Sequence, residues 1–149
     1  MSLDQLYQQI ILDHSKARHG SGLAATESPQ GTSTGQSHQL NPVCGDEVTL
    51  RVAVQEGKVA QIAWDGAGCS ISMASASVLS ELAQGMTVAE LHEAIDSFRE
   101  VLRSRGKVHA DPELLGDAAA FEGVSRYAAR VKCAMISWVA AEDALNQAA

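Results

Sequence analysis

The stretch DEVTLRVAVQEGKVAQIAW, residues 46–64, decides the fold. Every second residue from Val48 to Val54 is apolar, so these side chains share one face of a β-strand. Glu56-Gly57 supplies a turn, and the alternation resumes from Lys58 to Trp64. The stretch therefore predicts an antiparallel hairpin with one face against a core.

Helical patterns flank this hairpin. Helices are predicted over four stretches: Ser2 to about Lys16, Ser70 or Ser72 to about Ala83, Thr87 to about Gly106, and about Lys132 to Gln147, with the pattern becoming helical again from Ser125. The third stretch opens with the capping box Thr87-Val88-Ala89-Glu90, and residues 107–123 are predicted to form short pieces. The fold class predicted is α+β, a small antiparallel sheet of about three strands packed against helices on one side, with residues 1–149 as a single domain.

Several side chains carry specific expectations. Ser70 or Ser72 is expected to cap the second helix, and both tryptophans are expected in a core or an interface. The first helix is expected to face inward through Leu3, Leu6, Tyr7, Ile10 and Ile11, and the last through Ile136, Val139, Ala140 and Leu145.

Residues 20–39, GSGLAATESPQGTSTGQSHQ, are rich in Gly, Ser and Thr and show no apolar period. This composition predicts a mobile loop. Two roles stay open at this point: a surface connector, or a segment that becomes ordered over a partner.

Composition restricts the function classes. The chain has 149 residues, a formal net charge of −7 and a sequence pI near 5.1, without a dense Lys/Arg run, which argues against nucleic-acid and anionic-membrane surfaces. The N-terminal stretch lacks a secretory h-region, and no apolar stretch reaches membrane-spanning length. We expect a cytoplasmic protein. Three cysteines are an odd number for a disulfide framework, which the cytosol would also disfavour.

The three cysteines fall at the ends of predicted elements. Cys44 precedes the first strand of the hairpin, Cys69 lies between the hairpin and a helix, and Cys133 is placed at the start of the last helix. Such positions lower a thiol's pKa and favour ligands or nucleophiles. Asp46 follows Cys44 across Gly45, which tolerates unusual backbone dihedrals. Three thiolates and one carboxylate would satisfy tetrahedral zinc, whereas buried, inert cysteines that never meet are the alternative.

The charge of such a site indicates its chemistry. Three thiolates and a carboxylate around Zn²⁺ sum to a formal −2, which makes a poor Lewis acid without a vacant position for water. Ligand exchange is therefore favoured over hydrolysis. Arg130 and Lys132 could offset the charge, or could be solvated helix-end cations. The histidines show no metal-binding spacing and are not expected at the metal: His14, His19, His38, His92 and His109.

Three blocks of sequence resemble the signatures of IscU/SufU-type iron–sulfur assembly proteins. They are Asn41-Pro42-Val43-Cys44-Gly45-Asp46, Gly66-Ala67-Gly68-Cys69-Ser70-Ile71-Ser72 and Arg130-Val131-Lys132-Cys133-Ala134, and Leu6-Tyr7 through Asp13-His14 resembles the family's opening helix. The resemblance implies an IscU/SufU-like fold and metal ligands at Cys44, Asp46, Cys69 and Cys133.

Three features resemble the SufU branch more than the IscU scaffolds. Lys132 stands where scaffolds have His, a Leu-Pro-Pro-Val-Lys chaperone-binding stretch is missing, and the segment between Cys69 and Cys133 is longer. After His14, Ser15-Lys16-Ala17-Arg18-His19 departs from the family's usual Tyr and Asn-Pro-Arg-Asn stretch, which leaves the path of the N-terminal arm open.

The SufU resemblance implies a zinc-dependent sulfurtransferase that takes persulfide sulfur from a SufS-type cysteine desulfurase. Cys44 would be the acceptor, a desulfurase His would replace it on zinc, and Arg130 would assist the partnership. A downstream Suf assembly scaffold would receive the sulfur. The alternatives are an IscU-like scaffold that assembles an iron–sulfur cluster on the same cysteines, and a structural zinc module that only docks a partner.

Overall fold

A computed structural model describes residues 2–148 and contains one antiparallel sheet with helices on either side of it in the sequence. The α+β prediction is confirmed. In chain order the elements are α1 (Leu3–Ala17), a 3₁₀ turn (Leu23–Ala25), β1 (Ser33–Asn41), β2 (Asp46–Gln55), β3 (Lys58–Ala67), α2 (Ser70–Ala83), α3 (Val88–Arg103), α4 (Pro112–Leu115), a 3₁₀ segment (Gly116–Arg126) and α5 (Ala128–Ala148). No helix within residues 2–148 combines the length and apolar character that crossing a bilayer would require.

The predicted hairpin is present as β2 and β3, the second and third strands of the order β1-β2-β3. Glu56 and Gly57 have φ values of 53° and 76°, which give a tight turn matched to the twist of the strands. The apolar side chains of β2 are buried as predicted. Ala53 is also buried because a register shift lies between Ala53 and Val54.

The prediction of a loop over residues 20–39 is wrong for its C-terminal part. Residues from Ser33 onward form β1, which pairs with β2 from Ser33↔Val54 to Asn41↔Asp46. Its buried residues are Gly35 and Ser37, which produce no apolar period. A Cβ on Gly35 would collide with the backbone of Ala144, so the close approach of α5 requires glycine there. Pairing with β2 and close packing against α5 therefore determine this strand, and its local sequence does not indicate it.

Two helices bring the site region together. α5 packs across β1 and β2, and α2 packs on β3 and α5. Trp64 and Trp138 are fully buried in this core, and Phe98 of α3 stacks on Trp138 with ring centroids 4.0 Å apart. The capping box of α3 is confirmed: the side chain of the N-cap residue Thr87 accepts the Glu90 backbone N–H, and the Glu90 side chain accepts the Thr87 backbone N–H.

The boundaries of α2 and α5 differ from the prediction. Cys69 itself occupies the N-cap position of α2, not Ser70 or Ser72. α5 begins at Ala128 instead of near Lys132, so Cys133 lies in its second turn. The start of α2 was misplaced because its N-cap residue makes no side-chain capping bond, and that of α5 because its first residues, Ala128 to Arg130, are exposed and lie outside the buried stripe.

The inward faces of the terminal helices also differ in part. Leu3 and Leu6 are 57% and 45% exposed, and Val139 of α5 is 37% exposed, so these three expectations are wrong. The buried residue of α1 is a histidine, His14. Helix α1 therefore lies on the surface of the core, and its apolar residues near the N-terminus remain accessible.

Candidate metal centre

Asp46 begins β2 and is almost completely buried, with 1% of its surface exposed. Its Oδ1 accepts a hydrogen bond from the Cys69 backbone N–H over 3.1 Å. Its Oδ2 is buried and has no hydrogen-bond partner within the described residues. A buried carboxylate oxygen without a donor is unfavourable, and a cation beside it would remove the penalty.

Cys44 lies in the loop between β1 and β2, two residues before Asp46. Gly45 adopts a φ of +73°, which favours glycine, and its N–H donates to the Asn41 carbonyl over 2.8 Å. This tight turn directs the chain back into β2. Cys44 is exposed and its neighbour Val43 is 85% exposed, so the thiol is carried on a loop that projects from the sheet.

Cys69 lies at the junction between β3 and α2. Its backbone is held by Asp46, and its Sγ lies 3.4 Å from the Ser72 hydroxyl. A Cβ on the preceding Gly68 would collide with the Asp46 carboxylate, so glycine permits this close approach. Cys69 is exposed but, unlike Cys44, is anchored at the N-terminus of a helix.

Cys133 is buried in the second turn of α5, where 5% of its surface is exposed. Burial raises the pKa of its thiol, and the neighbouring Asp46, Cys69 and Cys44 raise it further. The expectation that a helix N-terminus would lower the pKa of Cys133 is therefore wrong. Its neighbourhood is apolar and anionic, so deprotonation of this thiol needs a cation nearby.

Three of the four predicted ligands lie together at one end of the sheet, and Cys69 lies beside them. The Sγ atoms of Cys44 and Cys133 and a carboxylate oxygen of Asp46 all lie within 4.8 Å of one another. Cys69 falls outside that group, but its thiol interacts with Cys133. The three thiols are free. Thiol and carboxylate donors around an unpaired buried oxygen fit a soft or borderline divalent metal such as zinc.

The two cations before Cys133 face different clefts. Arg130 is exposed, its guanidinium lies 5.3 Å from the centre of the Tyr127 ring, and it lines a cleft of about 310 Å³ with Tyr7 and Ile71. Lys132 lines a separate groove of about 510 Å³. Arg130 therefore shares a cleft with Ile71, which lies two residues beyond Cys69.

No histidine of residues 2–148 belongs to this group of donors. His14 and His19 instead meet Glu81 and Asp117, in a second cluster that sequence reasoning missed. The four residues come from distant parts of the chain, so no spacing pattern could have indicated it.

The comparisons with known proteins agree with the resemblance. Residues 6–134 match the family model described as the NifU-like N terminal domain. The zinc-dependent sulfurtransferase SufU of Bacillus subtilis (strain 168) is 35% identical over 141 residues, which cover 95% of this chain and 90% of that protein. The iron–sulfur cluster assembly scaffold protein IscU of Streptococcus pyogenes serotype M1 is 33% identical, covering 99% and 87%.

A solved structure supports the fold assignment. The putative iron–sulfur cluster assembly scaffold protein for the SUF system from Fervidobacterium islandicum AW-1 superposes with a TM-score of 0.74 at 31% identity, covering 97% of this chain and 99% of that one. The chain therefore belongs to the family defined by the NifU-like N-terminal domain, and within it resembles the SufU and IscU proteins of iron–sulfur cluster assembly.

Proposed function

We propose that this protein is a zinc-dependent sulfurtransferase that accepts persulfide sulfur from a SufS-type cysteine desulfurase during iron–sulfur cluster assembly. Cys44, Asp46, Cys69 and Cys133 would hold the zinc, and the unpaired Oδ2 of Asp46 is the feature of this chain that such an ion would satisfy. Bound zinc would keep the thiols deprotonated near neutral pH and would permit exchange among its ligands.

One observation carries the proposal: the contrast between Cys44 and the other three donors. Asp46 and Cys133 are buried, and Cys69 is held by a hydrogen bond and by its place at the start of α2. Cys44 is exposed on a loop where a side chain on Gly45 would meet no atom within 4 Å. Such a loop can present its sulfur to a partner while the other donors stay in place.

The transfer step that this arrangement supports is thiolate attack on a persulfide. The Cys44 thiolate attacks the terminal sulfur of the desulfurase Cys–S–SH and forms a new S–S bond. The S–S bond within the desulfurase breaks, and its cysteine leaves as a thiolate. The products are Cys44–S–SH and the regenerated desulfurase thiolate, so atoms and charge balance and no external oxidant or reductant is required.

The surface around Cys44 suits a protein partner. Leu40 and Val43 are 56% and 85% exposed on either side of the loop base, and Tyr127 beside Arg130 is 57% exposed. Exposed apolar side chains near an exposed cation are typical of recognition surfaces. Arg130 would contact the desulfurase there, and a downstream Suf assembly scaffold would later receive the sulfur.

The test of the acceptor is desulfurase turnover with and without this protein. Wild type should increase turnover and gain one sulfur atom in mass on Cys44. Cys44→Ser should lose both effects, whereas Val43→Ser, on the same exposed loop, should retain them. If Cys44→Ser still stimulates the desulfurase, the acceptor assignment is wrong. Arg130→Ala should weaken stimulation at low desulfurase concentration, with Arg103→Ala as the matched exposed control.

A second candidate function is a scaffold on which an iron–sulfur cluster is assembled. The full-length similarity to IscU favours it as strongly as similarity to SufU favours sulfur transfer. Anaerobic reconstitution separates the two: a stable cluster that passes to an apo-protein, without any gain in desulfurase turnover, would establish the scaffold. If instead the cysteine variants unfold, as thermal scans would reveal, the centre is a structural zinc module.

A further inference from the structure

We propose that His14, His19, Glu81 and Asp117 form a second site for a divalent first-row metal ion, independent of the cysteine centre and of the proposed sulfur transfer. His14 Nε2 lies 3.0 Å from Asp117 Oδ2, and His19 Nε2 lies 2.8 Å from Glu81 Oε2. Donor atoms of His14, Glu81 and Asp117 are all within 4.8 Å of one another. His19 falls outside that group and joins it through Glu81, so the potential ligands come from α1 and the segment after it, from α2 and from the 3₁₀ segment.

The second cluster is remote from the cysteine centre. Cys69 caps the N-terminus of α2 and Glu81 lies in its last turn. Twelve residues of α-helix at 1.5 Å per residue separate them by about 18 Å. Neither group of donors can supply a ligand to the other, so occupation of the two sites can be measured separately.

The imidazole of His14 and the backbone of His19 are held in place by other parts of the fold. The buried Ser77 hydroxyl lies 2.8 Å from His14 Nδ1 and accepts the His19 backbone N–H over 3.0 Å. The His19 carbonyl in turn accepts a hydrogen bond from the indole N–H of Trp64 over 2.7 Å. A hydrogen bond such as that between Ser77 and His14 Nδ1, behind a metal-binding imidazole, fixes the ring orientation and the tautomer.

The charge of the cluster indicates what it would bind. Within residues 2–148, Glu81 and Asp117 are paired only with histidines and with no lysine or arginine. In the tautomer whose Nδ1–H donates to Ser77, His14 Nε2 presents a lone pair to Asp117 Oδ2 3.0 Å away, where a metal ion can bind; in the other tautomer Nε2–H donates to Asp117. Two neutral imidazoles and two carboxylates would neutralise a divalent cation.

The two His–carboxylate pairs require only a small adjustment, whereas the other donor atoms, which lie within 4.8 Å of one another, would move closer. Ligand atoms about 2.0–2.1 Å from a tetrahedral zinc ion lie about 3.4 Å apart, so each His–carboxylate pair would open by roughly half an ångström. His19, Glu81 and Asp117 have side chains that are 46%, 53% and 54% exposed, so they can move and an ion can enter. Imidazole and carboxylate ligands suit Zn²⁺ as well as other first-row metals, and Zn²⁺ is the probe we choose.

The experiment is a count of zinc equivalents on the full-length protein by equilibrium dialysis, with a matched pair of variants. His19→Gln/Glu81→Gln removes one pair of the cluster. His38→Gln/Glu47→Gln removes a pair with the same 2.8 Å separation and exposures of 51% and 55%, outside the cluster. Wild type and the His38/Glu47 variant should bind one zinc equivalent more than the His19/Glu81 variant. This difference does not depend on how much zinc the cysteine centre binds, because that centre is the same in all three proteins.

A second readout follows the ligands themselves. Zinc should shift the imidazole Nε2 resonances of His14 and His19 and leave those of His109 unchanged. Equal zinc content in the two double variants, or zinc-insensitive His14 and His19 resonances, would overturn the proposal and identify the cluster as two histidine–carboxylate ion pairs. If wild type binds the extra zinc equivalent but does not stimulate the desulfurase, the proposed sulfurtransferase function is refuted and the second metal site is not.

Discussion

Replacement of Asp46 by asparagine tests the central feature of the candidate centre. The side chain keeps its shape and loses its charge. In the metal-free protein, Oδ2 of Asp46 is buried without a donor, which costs about 1–3 kcal/mol. An amide could retain the bond from the Cys69 N–H and place its NH₂ toward the thiols. We therefore expect metal-free Asp46→Asn to be more stable than metal-free wild type by about 1–2 kcal/mol.

Zinc should stabilise Asp46→Asn less than it stabilises wild type. Loss of an anionic ligand should weaken zinc binding at least tenfold, which removes about 1.4 kcal/mol of the stabilisation that the ion provides. The stability gap between metal-free and zinc-loaded protein therefore narrows by at least about 1.4 kcal/mol, and the greater stability of the metal-free variant is already part of this change. For a chain of this size that corresponds to about 3–6 °C in the difference between the two Tm values.

The assay is thermal unfolding with and without zinc, monitored by circular dichroism. Glu47→Gln is the control, because it removes a carboxylate from the next residue, whose side chain is 55% exposed. The difference in stability between metal-free and zinc-loaded Glu47→Gln should equal that of wild type. An unchanged gap in Asp46→Asn would show that the carboxylate is not a ligand, and a less stable metal-free Asp46→Asn would refute the argument from the unpaired oxygen.

Two further substitutions test the packing that supports the centre. Gly68→Ala should place a methyl group against the Asp46 carboxylate. It should destabilise the protein by about 1–3 kcal/mol in chemical denaturation and reduce its zinc content. Full zinc content in this variant would contradict the close approach of Gly68 to Asp46. Ser75→Ala should cost about 2 kcal/mol because the buried Trp138 indole N–H loses its acceptor at 2.9 Å, and Ser80→Ala, whose hydroxyl bonds within its own helix, should cost less.

Much of the fold could be predicted from local sequence. The hairpin from Asp46 to Ala67 follows from strict alternation and a Glu-Gly turn, and the start of α3 follows from its capping box. β1 could not be predicted, because its inward residues are Gly35 and Ser37 and it becomes a strand by pairing with β2. The start of α5 was placed too late because its first residues, Ala128 to Arg130, are exposed and lie outside the buried stripe of the helix.

The residues of the candidate centre could be predicted from sequence more readily than their chemical environment. Cys44, Asp46 and Cys69 stand at the ends of recognisable elements, so local sequence indicated that they could meet. The environment of Cys133 was not predictable, since its burial and raised pKa depend on neighbours from other elements. Exposure distinguishes the projecting Cys44 from the buried Cys133, and exposure depends on packing.

By itself, the sequence determined the hairpin, the order of helices around it, the absence of a paired-cysteine framework and the resemblance to an iron–sulfur assembly family. These properties depend on periodicity, caps and short motifs, which act over a few residues. Only the tertiary structure decided that Asp46 is buried with one oxygen unpaired, and that His14 and His19 face Glu81 and Asp117. Contacts between residues far apart in the chain produce those features, and patterns within a few residues of sequence do not indicate such contacts.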